Sequence, residues 1–283
     1  MASTGALTAS RHDDHAALFA AAERGAALCT IVAIDGSFSR RVGAQLAVLP
    51  DGSTVGSLSD GCLERQLASD ARDVERAEVR RYGAGSPAID FRLPCGSGLD
   101  ILIDPAPNRD ALQAAQRGLL ARRPAQIDLP DNPLLDRRGY LPEPVLRIFG
   151  SGPEVESLDR IAQAANMRVD LHTTDNLALG HASGLPNADA WTAVVLLFHD
   201  HEWELALVEE ALASEAFFIG AQGGAFAREQ RTLDLLARGV DEAALARLRS
   251  PVGVLPHCKT PGLLALSVLA EIAGAYEALR SAN

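Results

Sequence analysis

The amino-acid sequence predicts an α/β protein with two domains, and three observations lead to that prediction. The first half mixes hairpin turns with helical segments, which is typical of an α+β domain. The second half alternates apolar strands with helices, the order that builds a mainly parallel sheet. Between them, residues 123–144 hold five prolines and little periodicity, as a linker does. We therefore expect domains at 1–122 and 145–283.

Spacing and turn residues predict the elements of the first half. Residues 12–25 predict a short helix, because apolar positions recur at helical spacing and Gly25 follows the last turn. Residues 27–34 are apolar except for Thr30 and predict a buried strand, and the turn at 50–53 predicts a hairpin. The other elements expected here are a helix at 61–81, strands at 88–94 and 99–105, and a helix at 109–121.

The second half opens with an apolar strand that runs into "GSGPEV" and then into a helix, the setting of a dinucleotide-binding turn. Gly150 permits the tight turn, and Gly152 lets backbone approach a phosphate at the helix N-terminus. Val155 replaces the third glycine and Pro153 removes one N–H donor, which weakens the NAD signal. We predict a C-terminal Rossmann-like domain and leave open whether these glycines bind a dinucleotide or only close the turn.

The chain ends in a long apolar segment, "KTPGLLALSVLAEIAGAYEAL". Thr260 is a suitable N-cap and Pro261 suits the first helical position, so a helix is expected to begin there. So long an apolar helix favours a second covering surface, and we expect a homodimer.

Composition narrows the classes of function. The net charge of −11 argues against binding nucleic acid through its phosphates. We find no run of about 18 apolar residues and expect no membrane span, and the N-terminus does not read as a secretory signal. Four cysteines are too few for a disulfide scaffold in a chain this long, which favours a cytoplasmic protein with free thiols.

One cysteine is interpreted as a packing residue, and the other three are candidates for a functional role. Cys29 lies in an apolar strand and is interpreted as a small buried hydrophobe. Cys62 falls in the first turn of a predicted helix, where the helix dipole stabilises a thiolate, and Gly61 before it allows close approach of a ligand. Cys95 lies in the glycine-rich "LPCGSG". For Cys62 and Cys95 packing is the alternative, and for Cys258, beside a histidine, both interpretations stay open.

A polar loop with glycines, "IDGSFSRRVGAQL", is a candidate anion site. Backbone N–H groups, hydroxyls and a guanidinium together suit an oxyanion or a phosphate. An ordinary polar loop is the alternative. The candidate residues are Gly36, Ser37, Ser39, Arg40 and Gly43.

Two histidines follow an apolar strand of the second half. His199, Asp200 and His201 come directly after it, and ligands gather at the carboxyl ends of strands in open parallel sheets. The histidines could hold a ligand or a proton, although two are too few for a closed metal site. The alternative is a loop in which Asp200 or His201 caps the next helix.

The order of these segments resembles the XdhC/CoxI family. The resemblance runs from about residue 27 to residue 275. It is carried by "DGSFSRRVGAQLAVLPDGSTVGSLSDGCLE", "LPCGSGLDILIDP", "IFGSGPE", "HDHEWELALVEEAL", "FFIGAQGG" and "SPVGVLPHCKTPGLLALSVLAEI".

The resemblance implies an accessory chaperone for molybdenum hydroxylases such as xanthine dehydrogenase, and not an enzyme. Such a protein binds molybdenum cofactor (molybdopterin, a pterin dithiolene with a phosphate), supports its sulfuration with a cysteine desulfurase and delivers it to the apo molybdenum hydroxylase. A cofactor nucleotidyltransferase is a further expected partner. The family's cysteines fall on Cys62, a molybdenum contact in this interpretation, and on Cys95. The expected cofactor-binding residues are Gly36, Ser37, Ser39, Arg40, Gly43, Gly61, Cys62, Cys95, Gly150, Gly152, His199 and His201.

Departures from the family pattern leave alternatives open. Phe38 and Ser39 replace the usual serine-proline, and His257 and Cys258 stand where the family has neither, which suggests a different client hydroxylase. The alternative function is an NAD(P)-dependent oxidoreductase that uses the Gly150 turn. A third is an adaptor for the hydroxylase that binds no ligand.

Overall fold

The computed structural model describes residues 15–59, 61–87 and 96–282. The chain divides into two compact units, Met1–Pro142 and Glu143–Asn283. Each unit has its own sheet and its own apolar core. The predicted fold class, an α+β unit followed by a Rossmann-like unit, is confirmed.

The first unit is built on a five-stranded antiparallel sheet with the strand order β3-β2-β1-β5-β4. A separate strand pair, β6 and β7, follows. Its elements are α1 (Ala16–Arg24), β1 (Ala27–Asp35), β2 (Gln45–Val48), β3 (Thr54–Val55), α2 (Cys62–Asp73), β4 (Glu78–Gly83), β5 (Gly98–Asp104), α3 (Arg109–Leu120), β6 (Ala125–Asp128) and β7 (Arg137–Tyr140).

Helices cover both faces of this sheet. Side chains alternate between the two faces of a strand, so neighbouring residues of β1 enter different cores. Cys29 packs in the core that contains Leu63 and Leu67 of α2. Leu28 packs in the core that contains Leu18 of α1, together with residues of α3. This double burial is why β1 has the largely apolar sequence from which it was predicted.

The helix predicted at 61–81 is too long. It ends at Asp73, and Glu78–Gly83 forms strand β4. Glu, Ala and Arg in this stretch favour a helix locally, but β4 pairs with β5 from Glu78 opposite Ile103 to Gly83 opposite Gly98. The tertiary pairing outweighs the local preference. The strand expected at 88–94 lies outside the described residues.

The stretch predicted as a linker, 123–144, holds the antiparallel pair β6 and β7. Ile127 and Tyr140 of this pair are buried in a core of the first unit. The Tyr140 hydroxyl donates to Gln45 Oε1 at 2.6 Å, inside that core. Proline spacing alone did not indicate these strands, and the domain boundaries at 122 and 145 stay a prediction.

The second unit is built on a parallel sheet with the order β12-β11-β10-β8-β9. The strand order reverses between β8 and β10, which is where ligands bind in sheets of this kind. Its elements are β8 (Val145–Gly150), α4 (Pro153–Ala164), β9 (Arg168–His172), β10 (Thr192–Leu197), a 3-10 turn (His201–Trp203), α5 (Glu204–Leu212), β11 (Phe218–Ala221), α6 (Ala225–Ala237), α7 (Glu242–Leu245), β12 (Leu248–Arg249) and α8 (Pro261–Ala282).

Apolar cores lie on both faces of the parallel sheet. One core joins β8 and β10 to α4 and α8, with Leu158 and Ile272 fully buried. The other joins β10 and β11 to α5 and α6, with Val208 and Leu235 fully buried. Within the described part of the chain, α8 is the one helix long and apolar enough to cross a membrane by length and composition. Core helices that are mostly buried share those two properties; α8 contributes Ala265 and Val268 to the core, and 28% of its apolar window is buried.

Candidate functional site

Cys62 is the first residue of α2, as the sequence predicted for the start of this helix. Gly61 before it has a φ of 100°, a backbone conformation that favours glycine. The Cys62 side chain is exposed, and the Arg65 guanidinium donates to its sulfur at 3.2 Å. The helix N-terminus and a guanidinium both place positive charge beside this sulfur, which suits an anionic ligand.

A buried carboxylate, Glu64, holds the loop in front of Cys62. It accepts hydrogen bonds from the backbone N–H groups of Leu58 at 2.8 Å, Ser59 at 2.5 Å and Gly61 at 2.8 Å. Since Gly61 has no side chain, only the glutamate half of a capping box exists here. Glu64 was not among the predicted site residues, although a glutamate three positions after an N-cap is a recognised sequence signal.

The loop that begins at Gly36 makes specific contacts with two other loops. Arg40 Nε donates to the backbone oxygen of Ser57 at 3.0 Å, which ties this loop to the one that precedes Cys62. The buried Ser97 hydroxyl donates to the backbone oxygen of Ser37. The structure therefore brings the predicted anion loop to two of the stretches that contain the predicted cysteines. Cys95 itself lies outside the described residues.

We name the described residues of these three loops, 36–43, 57–59 with 61, and 96–97, together with Cys62, the Cys62 edge. Gly36 and Gly43 of the first loop both have a positive φ, 89° and 87°, a backbone conformation that favours glycine. A side chain at Gly43 would also meet the Arg138 side chain at 2.9 Å. Ser39 and Arg40 are exposed on this edge.

An open groove of about 580 Å³ runs beside the start of α2. Its lining includes Gly61 and Arg65, and it has a row of hydroxyl groups. The hydroxyl-bearing residues are Ser53, Thr54, Ser57 and Ser59. We call it the serine groove. Hydroxyls and a guanidinium are groups that hold phosphate and polar heterocycles.

In the second unit, the Gly150 turn has a packing reason of its own. A side chain at Gly150 would meet the backbone oxygen of Leu197 at 2.4 Å and Val155 Cγ2 at 2.9 Å. Gly150 therefore lets β8 and β10 approach closely whether or not a ligand binds. Gly152 has a φ of 100° and precedes α4, where the backbone N–H groups of the first turn point outward.

The two predicted histidines each contact a carboxylate. His199 is exposed, and its Nε2 lies 3.2 Å from Oε2 of Glu154 in the first turn of α4. His201 Nδ1 lies 3.0 Å from Oε2 of Glu204. Asp200 caps the 3-10 turn by accepting from the backbone N–H of Glu202 at 3.1 Å, as the structural alternative for this stretch predicted. Among the described residues, no group of three or more His, Cys, Asp and Glu could hold a metal ion.

Glu204 and its partner Arg231 form a buried ion pair that sequence reasoning missed. Their side chains are 1% and 3% exposed, and the guanidinium donates to Glu204 Oε2 from Nη2 at 2.6 Å and from Nε at 3.0 Å. Burial raises the pKa of Glu204, and Arg231 and His201 oppose that rise. The two residues are 27 positions apart, so no local pattern connects them.

The other described cysteines differ from Cys62. Cys29 is fully buried, and loss of hydration raises the pKa of its thiol to about 12. Its interpretation as a packing residue fits that burial. Cys258 is half-buried, with its sulfur 3.7 Å from the backbone oxygen of Leu255.

Comparison with known proteins adds to this geometry. Residues 19–83 match the model of the XdhC and CoxI family, and residues 146–272 match that of the XdhC Rossmann domain. The chain is 33% identical over 267 residues to the molybdenum cofactor insertion chaperone PaoD of Escherichia coli (strain K12). That alignment covers 88% of this chain and 83% of PaoD.

A solved structure shows the same fold. It is described as a xanthine dehydrogenase from Bacillus halodurans, and it matches with a TM-score of 0.69 and 21% identity over 92% of this chain and 95% of that one. The sheets and these matches together define an α+β unit joined to a Rossmann-type unit. The chain belongs to the XdhC/CoxI family, which confirms the resemblance seen in the sequence.

Proposed function

We propose that this protein binds molybdenum cofactor and inserts it into a molybdenum hydroxylase. One observation carries the proposal: an exposed cysteine begins α2 beside Arg65 and an open polar groove. The relative PaoD, named as a molybdenum cofactor insertion chaperone, supports it. The proposed role is binding and delivery, and not catalysis.

The residues of the Cys62 edge fit the cofactor chemically. A thiolate is a soft ligand suited to a metal that already carries dithiolene sulfur. The serine groove offers hydroxyls and the Arg65 guanidinium to a phosphate or to a polar ring. Its volume of about 580 Å³ is within the range of small-molecule sites. When bound, the cofactor would supply the molybdenum and dithiolene chemistry, and these side chains would bind and orient it.

The remaining predicted contacts belong to the same proposal. In the first unit they are Gly36, Ser37, Ser39, Arg40, Gly43, Gly61 and Cys95. In the second unit they are Gly150, Gly152, His199 and His201. The packing contact of Gly150 with Leu197 accounts for that glycine without NAD(P), so we do not propose a nicotinamide reaction.

We further propose the partners and setting of this role. The client is an apo molybdenum hydroxylase related to xanthine dehydrogenase, and a cysteine desulfurase supplies sulfur while the cofactor is held. A nucleotidyltransferase that modifies the cofactor is a further proposed partner. The protein is proposed to act in the cytoplasm as a homodimer.

The test is the cofactor content of the purified protein. We would express it in a host that makes molybdenum cofactor, purify it anaerobically, and measure molybdenum and pterin per chain. We expect near-stoichiometric loading of the wild type and loss of both in Cys62→Ser. Cys258→Ser is the matched control, because its half-buried thiol lies outside the Cys62 edge, and it should load normally.

Two outcomes would contradict the proposal. Wild-type protein without pterin under anaerobic handling would favour an adaptor that binds no ligand. Cys62→Ser protein that keeps full loading and activates its client hydroxylase would assign Cys62 to packing.

A further inference from the structure

In the second unit, a buried ion pair holds the histidine that follows β10. His201 is partly exposed, and its Nδ1 lies 3.0 Å from Glu204 Oε2, the oxygen that also accepts two hydrogen bonds from Arg231. An oxygen that already accepts two guanidinium hydrogen bonds carries no proton of its own and can only accept. His201 Nδ1 therefore carries the proton, and in the neutral imidazole Nε2 is left as an acceptor.

Arg231 also fixes the neighbouring loops. Its Nη2 donates to the backbone oxygen of Gln222 after β11 at 2.7 Å, and its Nη1 donates to the Ser250 hydroxyl after β12 at 2.9 Å. Gly223 lies against the same groups: with a φ of 140°, a side chain there would meet Arg231 Nη2 at 3.2 Å and His201 Cε1 at 3.6 Å. Segments following three adjacent strands are thus held around one imidazole.

Stability alone does not account for this arrangement. Burying an ion pair costs more hydration than its attraction returns unless all its hydrogen bonds are made, and apolar side chains in its place are often as stable or more so. Within the described residues, Glu204 Oε1 is buried with no hydrogen-bond partner. This costly ion pair lies at the carboxyl edge of a parallel sheet, where ligands bind in this class of fold.

We propose that Glu204 and Arg231 are positioning residues that turn His201 Nε2 outward to accept an N–H of the pterin ring. This inference rests on the proposed function and assigns it a recognition contact in the second unit. A pterin has ring N–H and amino groups at its edge, and a fixed acceptor selects for such a donor. Removal of the partners that orient metal-binding histidines changes affinity by about 10- to 100-fold, and we expect a change of the same order for this histidine.

The test replaces both members of the pair with apolar residues. Glu204→Met with Arg231→Met leaves no buried charge unpaired, so the protein should fold with an unchanged or raised melting temperature. The matched control is Glu209→Met with Arg238→Met, because these residues form an exposed ion pair at 3.3 Å between α5 and the residue that follows α6. His201→Gln keeps the buried pair and gives a second variant that does not depend on repacking the core.

Two measurements decide the inference. Nitrogen-15 NMR of the ligand-free wild type and control should show the Nδ1–H form of His201, and the Glu204/Arg231 variant should shift toward the Nε2–H form. Pterin content under limiting cofactor should fall about 10- to 100-fold in the Glu204/Arg231 variant and in His201→Gln, but not in the control.

Other results overturn it. Full loading of the wild type, the Glu204/Arg231 variant and His201→Gln would reject the positioning role and leave the proposed function intact. An Nε2–H form in ligand-free wild type would reject the assigned acceptor. Wild type without any pterin would overturn both proposals.

Discussion

Replacement of Glu64 should loosen the loop that presents Cys62, and the size of the effect follows from its three hydrogen bonds. The carboxylate, only 8% exposed, accepts from the N–H groups of Leu58, Ser59 and Gly61 at 2.5–2.8 Å. The Leu58 contact is buried, and the other two are partly buried. Glu64→Ala would leave one N–H without any partner and allow water to reach the other two.

The expected decrease in the free energy of loop opening is the sum of the contributions of these three hydrogen bonds. A buried donor left unpaired costs about 1–3 kcal/mol, and each bond exchanged for water costs about 0.5–1 kcal/mol. Glu64→Ala should therefore lower the opening free energy of the loop by about 2–5 kcal/mol. Glu64→Gln keeps an acceptor for Leu58 and Ser59 but directs an amide N–H toward Gly61, so about 1–2 kcal/mol is expected.

Amide hydrogen exchange measures this opening directly. Because each 1.4 kcal/mol is tenfold in an equilibrium constant, protection of the Leu58 N–H should fall about 30- to 4,000-fold in Glu64→Ala and less in Glu64→Gln. Glu75→Ala is the control, since Glu75 is an exposed glutamate shortly after the same helix. Unchanged Leu58 protection in Glu64→Ala would refute the reasoning, because the hydrogen bonds would then not hold the loop.

Two further predictions concern titration. Burial raises the pKa of Cys29 to about 12. A thiol reagent at mildly alkaline pH should therefore label exposed Cys62 and spare Cys29 until the protein unfolds, which mass spectrometry of the labelled peptides would measure. Equal labelling of the two cysteines in the folded protein would contradict the burial of Cys29. Burial alone would raise the pKa of Asp170, but hydrogen bonds from Arg147 and His172 outweigh it and hold the pKa below its ordinary value. A lowered folded-state pKa stabilises the protein above the ordinary aspartate pKa, and that contribution disappears as pH falls through the folded value. Because the Asp170 side chain is 35% exposed, solvent screening limits the expected loss of unfolding free energy in Asp170→Asn to about 1 kcal/mol at neutral pH. Urea unfolding of both proteins measures this loss. A loss that is equally large in acid would show that the carboxylate charge is not its cause.

The elements that the sequence predicted well have a signal within a few neighbouring residues. The start of α8 at Pro261 follows from a capping residue and a proline, and the start of α2 at Cys62 follows from a glycine before an amphipathic run. Strand β4 was not predicted from its local sequence, because its partner β5 begins 15 residues beyond the end of β4. The pairing that makes Glu78–Gly83 a strand is therefore absent from any local window.

The residues of the candidate site also differ in how much local sequence signal they carry, and this difference explains which of them were not predicted. The sequence singles out Cys62 because a thiol at a helix start is chemically unusual, whereas Glu64 and Arg231 are ordinary residues of amphipathic helices until their partners are known. The phosphate contact predicted for Arg40 rests on its loop alone and stays a prediction, and the structure adds a contact with Ser57, 17 positions away. Side chains that position others act through contacts between loops that the fold brings together. A sequence therefore singles out a chemically unusual residue more readily than the residues that hold it in place.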